Sequence, residues 1–117
     1  MIRHALPLAA LLLAAAIGSA QAADGAKIYT LQCKTCHGAK SSPMGPSLAG
    51  VAGRDIASLS DFTYSAGLKA KTGAWSDPSL DAYLAAPAKF APGTRMPASL
   101  PATADRAAVI AYLKTLK

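Results

Sequence analysis

The chain holds two cysteines, three positions apart, with a histidine directly behind the second: Cys33-Lys34-Thr35-Cys36-His37. Two thiols at this spacing near a helix end project to one side, where both can add across the vinyl groups of a single haem. An imidazole at the next position then comes under the iron as its first axial ligand. Other uses of the pair fit less well. A disulfide would close too small a loop to stabilise the fold much, and a dithiol redox pair expects a βαβ setting that the sequence lacks. Zinc needs four ligands, and beyond residue 23 the supply of Cys and His stops at three unless an aspartate joins. The pentapeptide therefore predicts haem c, tethered through Cys33 and Cys36, with His37 on the iron.

What stands on the other face of the iron separates electron transfer from ligand binding or catalysis, because a filled sixth position leaves only the first. No second histidine follows residue 23, and the methionines there are Met44 and Met96. Met44 lies seven residues past His37 in a loop of Gly, Pro and Ser, tied close to the His37 side, and reads as a surface or packing residue. Met96 sits in Pro-Gly-Thr-Arg-Met-Pro, where Pro92-Gly93 favours a turn and Pro97 stiffens the exit. A methionine more often simply fills core, but a thioether on such a loop is well placed for ligation, and Met96 is the expected second axial ligand.

These residues need elements to hold them. The first residues give a targeting segment instead: Arg3 and His4 precede an apolar run over 5–17, and Ala20-Gln21-Ala22 ends it with small residues. That pattern predicts a secretory signal peptide over residues 1–23. The run is about 13 residues long, short of the roughly 20 that a membrane span needs, so no stable membrane anchor is expected. Residues 24–117 then form one small domain that gains from the apolar bulk of a cofactor.

Within it, Asp24 can cap a first helix leading to the cysteines, with Ile28, Tyr29 and Leu31 at helical spacing. Glycine and proline crowd the stretch 38–54, which reads as loop. A short helix is expected over 65–71. Ser76 or Asp77, followed by Pro78, starts a clearer helix that Pro87 stops. Three prolines in the next fifteen residues make a loop, and a last helix begins near Thr103 and runs to the end, with Val109, Ile110, Leu113 and Leu116 spaced for burial. No repeat or β-alternating run appears. The fold class expected is all-α, a single domain with about three main helices and long loops around one haem.

The formal charge is +6 for the full chain. Its basic residues are scattered singly and form no block or stripe, which argues against nucleic acid and fits acidic partner proteins.

With these residues in place, the chain resembles the class I c-type cytochromes, close to the mitochondrial and α-proteobacterial type. The resemblance covers essentially all of residues 24–117 and rests on several motifs in order: GAKIYTLQCKTCH, GPSLAGVAGR, FTYSAGLKAKTGAW, LDAYLAAP, PGTRM and IAYLK. It implies that Pro46 offers its carbonyl to the other ring nitrogen of His37, fixing the tautomer. It implies that Arg54, Tyr64 and Trp75 surround the haem propionates, which need donors in an apolar crevice. Tyr83 and Thr94 match positions beside the methionine sulfur. Gly25 and Tyr29 with Val109 and Tyr112 match a crossing of the terminal helices.

Departures from the mitochondrial type are Ala98, where it carries an aromatic, and Leu68, where it carries an asparagine. The loop between His37 and Pro46 is shorter. Gln32 and Ala88 replace lysines of its haem-edge ring, while Lys27, Lys89 and Arg95 remain. The resemblance implies a soluble, periplasmic, monomeric electron carrier of the respiratory kind, not an enzyme. Its partners would be redox proteins with acidic docking surfaces, such as a membrane oxidoreductase, a terminal oxidase or a periplasmic dehydrogenase. The alternative is a dedicated subunit or partner of a periplasmic dehydrogenase or sulfur-oxidising enzyme, with a hydrophobic docking face. A haem enzyme or gas-binding protein would need an open distal site.

Overall fold

A computed structural model describes residues 23–117. The expected signal peptide lies outside the described residues but for its last position. Five helices follow one another: α1 (Gly25–Gln32), α2 (Ala66–Lys69), α3 (Asp77–Ala85), α4 (Pro87–Phe90) and α5 (Thr103–Leu113). Among the described residues the β-structure is limited to two isolated bridges, Ser42 with Gly45 and Asp55 with Ala74. The domain is all-α with long loops between the helices.

Local chemistry explains most of the boundaries. Asp24 accepts the Lys27 N–H at 3.1 Å and opens α1. Ser65 accepts the Leu68 N–H at 3.3 Å and opens α2. Ser76 and Ser79 form a reciprocal capping box on α3, and Pro78 sits in its first turn, where a missing N–H costs nothing.

Two expectations need correction. Residues just past Ala86 are not loop throughout, because Pro87 ends α3 and then starts the short α4, its fixed φ suiting the first helical position. The last helix does not run to the end. It stops at Leu113, and the Leu116 carbonyl instead accepts the Gly50 N–H at 2.9 Å, tying the C-terminus to the loop after His37.

The terminal helices cross where Gly25 meets α5. A Cβ on Gly25 would stand 2.1 Å from the Ala108 carbonyl oxygen, so only glycine allows this approach. One turn on, the Tyr29 and Tyr112 rings pack with centroids 5.0 Å apart. The buried faces of α3 and α5 add Leu80, Leu84, Val109, Ile110 and Leu113 to the core. Arg106 joins α5 to what precedes it. Its Nε pairs with Asp81 at 2.7 Å, and its Nη1 donates to the carbonyls of Leu100 and Pro101 at 3.0 and 2.9 Å. The crossed helices thus hold both segments that matter for the site: the end of α1, and the chain leading from α4 back to α5.

Candidate functional site

The end of α1 turns sharply. Cys33 caps it, with its N–H on the Tyr29 carbonyl at 2.9 Å, and the Cys33 carbonyl accepts from Cys36 at 3.1 Å and His37 at 2.9 Å. Both cysteines are partly buried and neither is in a disulfide. Burial pushes the Cys33 thiol up.

His37 Nδ1 lies 2.9 Å from the Pro46 carbonyl oxygen. A carbonyl only accepts, so Nδ1 carries the proton and Nε2 keeps its lone pair. Burial pushes the imidazole down from its ordinary range, against the opposing pull of the Pro46 bond. The result is a neutral ring with a free, basic nitrogen, the form that binds a metal. Gly45 is what lets the loop close over this ring. A Cβ there would sit 2.8 Å from the Cys36 carbonyl oxygen and 3.2 Å from the imidazole.

Arg54 and Trp75 are neighbours through their backbones, with the Trp75 N–H on the Arg54 carbonyl at 2.9 Å. The Arg54 guanidinium is largely engaged by the protein: Nη1 donates to Ala49 at 2.9 Å and Nη2 to Ser47 at 3.1 Å. Its Nε is buried without a partner among the described residues. An orphaned charged donor of this kind is costly, and it points to an acceptor that the protein itself does not supply. The Tyr64 hydroxyl oxygen accepts the Leu59 N–H at 3.3 Å, which leaves its own proton available to donate.

On the α3 side, Tyr83 packs against both Trp75 and Phe90, at centroid distances of 5.3 and 5.6 Å. Burial pushes its phenol up, more than the Thr94 bond lowers it, so it stays protonated. Its hydroxyl meets Thr94 Oγ1 at 2.7 Å, and the same Oγ1 accepts the Met96 N–H at 3.4 Å. Met96 is half-buried against the core.

All ten residues singled out from the sequence line one cleft of about 270 Å³: Cys33, Cys36, His37, Pro46, Arg54, Tyr64, Trp75, Tyr83, Thr94 and Met96. Between them the walls are aliphatic, formed by Leu48, Val51, Leu68, Leu80, Leu84 and Leu100. Met44 also borders the cleft, but it is 67% exposed. An apolar slot with two thiols, a metal-ready imidazole, a thioether and an unsatisfied guanidinium N–H fits haem c, a flat apolar group bearing two carboxylates.

Two residues of the site escaped the sequence reading. Gly45 covers His37. Gly67 in α2 lets the chain before Met96 pass at close range, because a Cβ there would lie 2.1 Å from the Pro92 carbonyl oxygen. The only hint was a glycine inside a helical stretch, which costs stability unless something packs against it.

Comparison with known proteins agrees with this geometry. A family model described as cytochrome c matches residues 22–117. Cytochrome c2 iso-2 of Magnetospirillum fulvum is 48% identical over 88 residues, 72% of this chain and 91% of that protein. Cytochrome c-type cyt cy of Rhodobacter capsulatus is 44% identical over 94 residues, 79% of this chain; the match spans only 47% of that longer protein. Among solved structures, cytochrome cH from Methylobacterium extorquens superposes with a TM-score of 0.72 at 34% identity, covering 78% of this chain and 94% of that one. The chain belongs to the cytochrome c family, electron-transfer proteins rather than enzymes, and Cys33 and Cys36 are the attachment points of its haem c.

Proposed function

We propose that the protein is a soluble, periplasmic, monohaem electron carrier with His37 and Met96 as axial ligands. The observation that carries this reading is the convergence of two differently built loops on one cleft. One brings an imidazole whose tautomer Pro46 fixes, and the other brings a methionine whose backbone Thr94 holds. Haem c, when bound, supplies an iron that takes up and gives back one electron. The chain's own part is to hold that iron still.

Cys33 and Cys36 anchor the group. His37 presents Nε2, and Pro46 keeps the ring from turning. Met96 would hold the iron from the side opposite His37, and a thioether there would favour the reduced state. Arg54 Nε and the Tyr64 hydroxyl are the donors available to the carboxylates. No described helix is long and apolar enough to cross a membrane.

Partners reach such a carrier at the mouth of the cleft. Lys27 and Lys89 are exposed and without ion pairs among the described residues, and they would steer acidic redox proteins into brief encounters. Apart from Arg95, the exposed rim is uncharged, however, with Met44, Pro97, Ala98 and Ser99 all exposed. That rim favours a second reading, a dedicated partner of one periplasmic dehydrogenase or sulfur-oxidising enzyme, docked through apolar contact.

The axial assignment is tested by the red charge-transfer band of the ferric protein, which a sulfur ligand produces. The band is expected in the unaltered protein and absent in Met96→Ala; survival of the band in that variant removes the assignment. Salt separates the two partner readings. A rate of reduction by candidate partners that falls steeply with ionic strength supports basic docking, and a flat profile supports the apolar one.

A further inference from the structure

The loop that carries Met96 is thinly tied. The Thr94 N–H bonds the Ala91 carbonyl at 3.0 Å and the Leu100 N–H bonds the Leu84 carbonyl at 2.8 Å. Between these anchors, no backbone group of residues 95–99 pairs with another backbone group among the described residues. Segments with so few backbone bonds open locally far more readily than the packed core. Something else has to keep this one shut.

One side chain of the stretch reaches across to another loop. Arg95 donates from Nη2 to the carbonyl of Thr63, 32 residues earlier in the chain, and its guanidinium carbon lies 5.6 Å from the centre of the Phe62 ring. The planar guanidinium can do both at once, because it directs an N–H in its plane while its face rests on an aromatic. The receiving end is firm. Phe62 packs edge-on against Tyr64 with centroids 4.9 Å apart, and Tyr64 is buried in the cleft wall with its hydroxyl on the Leu59 N–H. Arg95 and Phe62 themselves border the cleft. A residue that the sequence offers as a free surface cation is therefore occupied in a contact across the site.

We infer that Arg95 is a positioning residue, a latch that ties the Met96 loop to the wall at 62–64 and sets how often the Met96 side of the cleft opens to a small ligand. This rests on the reading of Met96 as an axial ligand. Arginine keeps its charge at every ordinary pH, so the latch does not release on deprotonation. On the other side of the same loop, the bond between Tyr83 and Thr94 holds the residue before Arg95. The two contacts tie consecutive residues just before Met96 to two different parts of the chain, Tyr83 and the stretch 62–63.

The test is the rate at which imidazole, a neutral probe, binds the ferric holoprotein. Arg95→Ala is expected to bind about tenfold faster, the loss of one charge-assisted hydrogen bond and one exposed cation–aromatic contact. Phe62→Leu gives a smaller increase, and Arg95→Lys, which keeps a cation and a donor, stays within about threefold of the unaltered protein. Lys40→Ala removes the same charge from an exposed site and leaves the rate unchanged. The latch is absent from the open and the unfolded protein alike, so the urea midpoint of Arg95→Ala should fall by no more than the tenfold change implies; a larger fall, marking general loosening of the fold, overturns the proposal. Binding by Arg95→Ala at the unaltered rate, or an equal acceleration in Lys40→Ala, overturns the proposal. Immediate binding by the unaltered protein, without a red band, would remove the axial assignment and the latch with it.

Discussion

Tyr83 and Thr94 meet with 2.7 Å between their hydroxyl oxygens, and Thr94 Oγ1 also accepts the Met96 N–H at 3.4 Å. A phenol from α3 is thereby linked through one threonine to the backbone of the residue expected on the iron. Thr94→Val strips both partners at once, and its cost is expected at about 1–3 kcal/mol, because a part-buried phenol loses its hydrogen-bond partner and the Met96 N–H its acceptor. Tyr83→Phe leaves the Thr94 to Met96 contact in place and should cost only about 1 kcal/mol. Urea unfolding of the ferric protein measures both, with a weaker red band in the threonine variant.

Gly67 should tolerate no side chain. A Cβ there would lie 2.1 Å from the Pro92 carbonyl oxygen and 2.9 Å from the Ala91 carbonyl carbon, both backbone atoms that cannot swing away. Gly67→Ala is expected to displace the start of the Met96 loop and to destabilise by about 3 kcal/mol, at the upper end of ordinary overpacking. Weakening of the red band together with a lower melting temperature is the expected outcome.

Gly25→Ala makes a contrasting case, remote from the cleft. Alanine favours a helix over glycine by about 1 kcal/mol. Here the new Cβ would stand 2.1 Å from the Ala108 carbonyl oxygen, so α1 and α5 must part. Net destabilisation of about 1–3 kcal/mol is expected, with the red band unchanged in whatever protein remains folded. A more stable variant would mean that the helices do not cross as described.

Arg54 carries the one buried side-chain nitrogen without a partner among the described residues. With haem c bound, its positive charge opposes oxidation of the iron, so Arg54→Gln should lower the reduction potential. An interaction of about 1 kcal/mol corresponds to a fall on the order of tens of millivolts for one electron. Voltammetry of the two proteins at equal ionic strength measures it, and an equal or higher potential in the variant would place Arg54 away from the carboxylates.

Much of this molecule is legible in its sequence because the relevant signals are local. The cysteine spacing names the cofactor within five residues, and Asp24, Ser65 and Ser76 each cap the helix that follows them through bonds to their own near neighbours. What stays hidden depends on partners distant in the chain. Gly67 and Pro92 meet only once the fold brings α2 beside the chain that follows α4, and nothing near Gly67 marks it as a contact. Arg95 looks like one more surface cation until the fold brings Thr63 and Phe62 beside it. The short α4 was missed for a different reason: proline rightly ends one helix, but the same fixed φ begins the next.

The central claim, that His37 and Met96 hold the iron between them, is tested most directly by the proton spectrum of the ferrous protein. A methionine whose sulfur is bound to haem iron has its methyl group held over the ring, where the ring current shifts that resonance far upfield. One such methyl signal is expected in the unaltered protein; it should vanish in Met96→Ala and persist in Met44→Ala. An unaltered protein with no upfield methyl, or one whose signal survives the loss of Met96, would contradict the account.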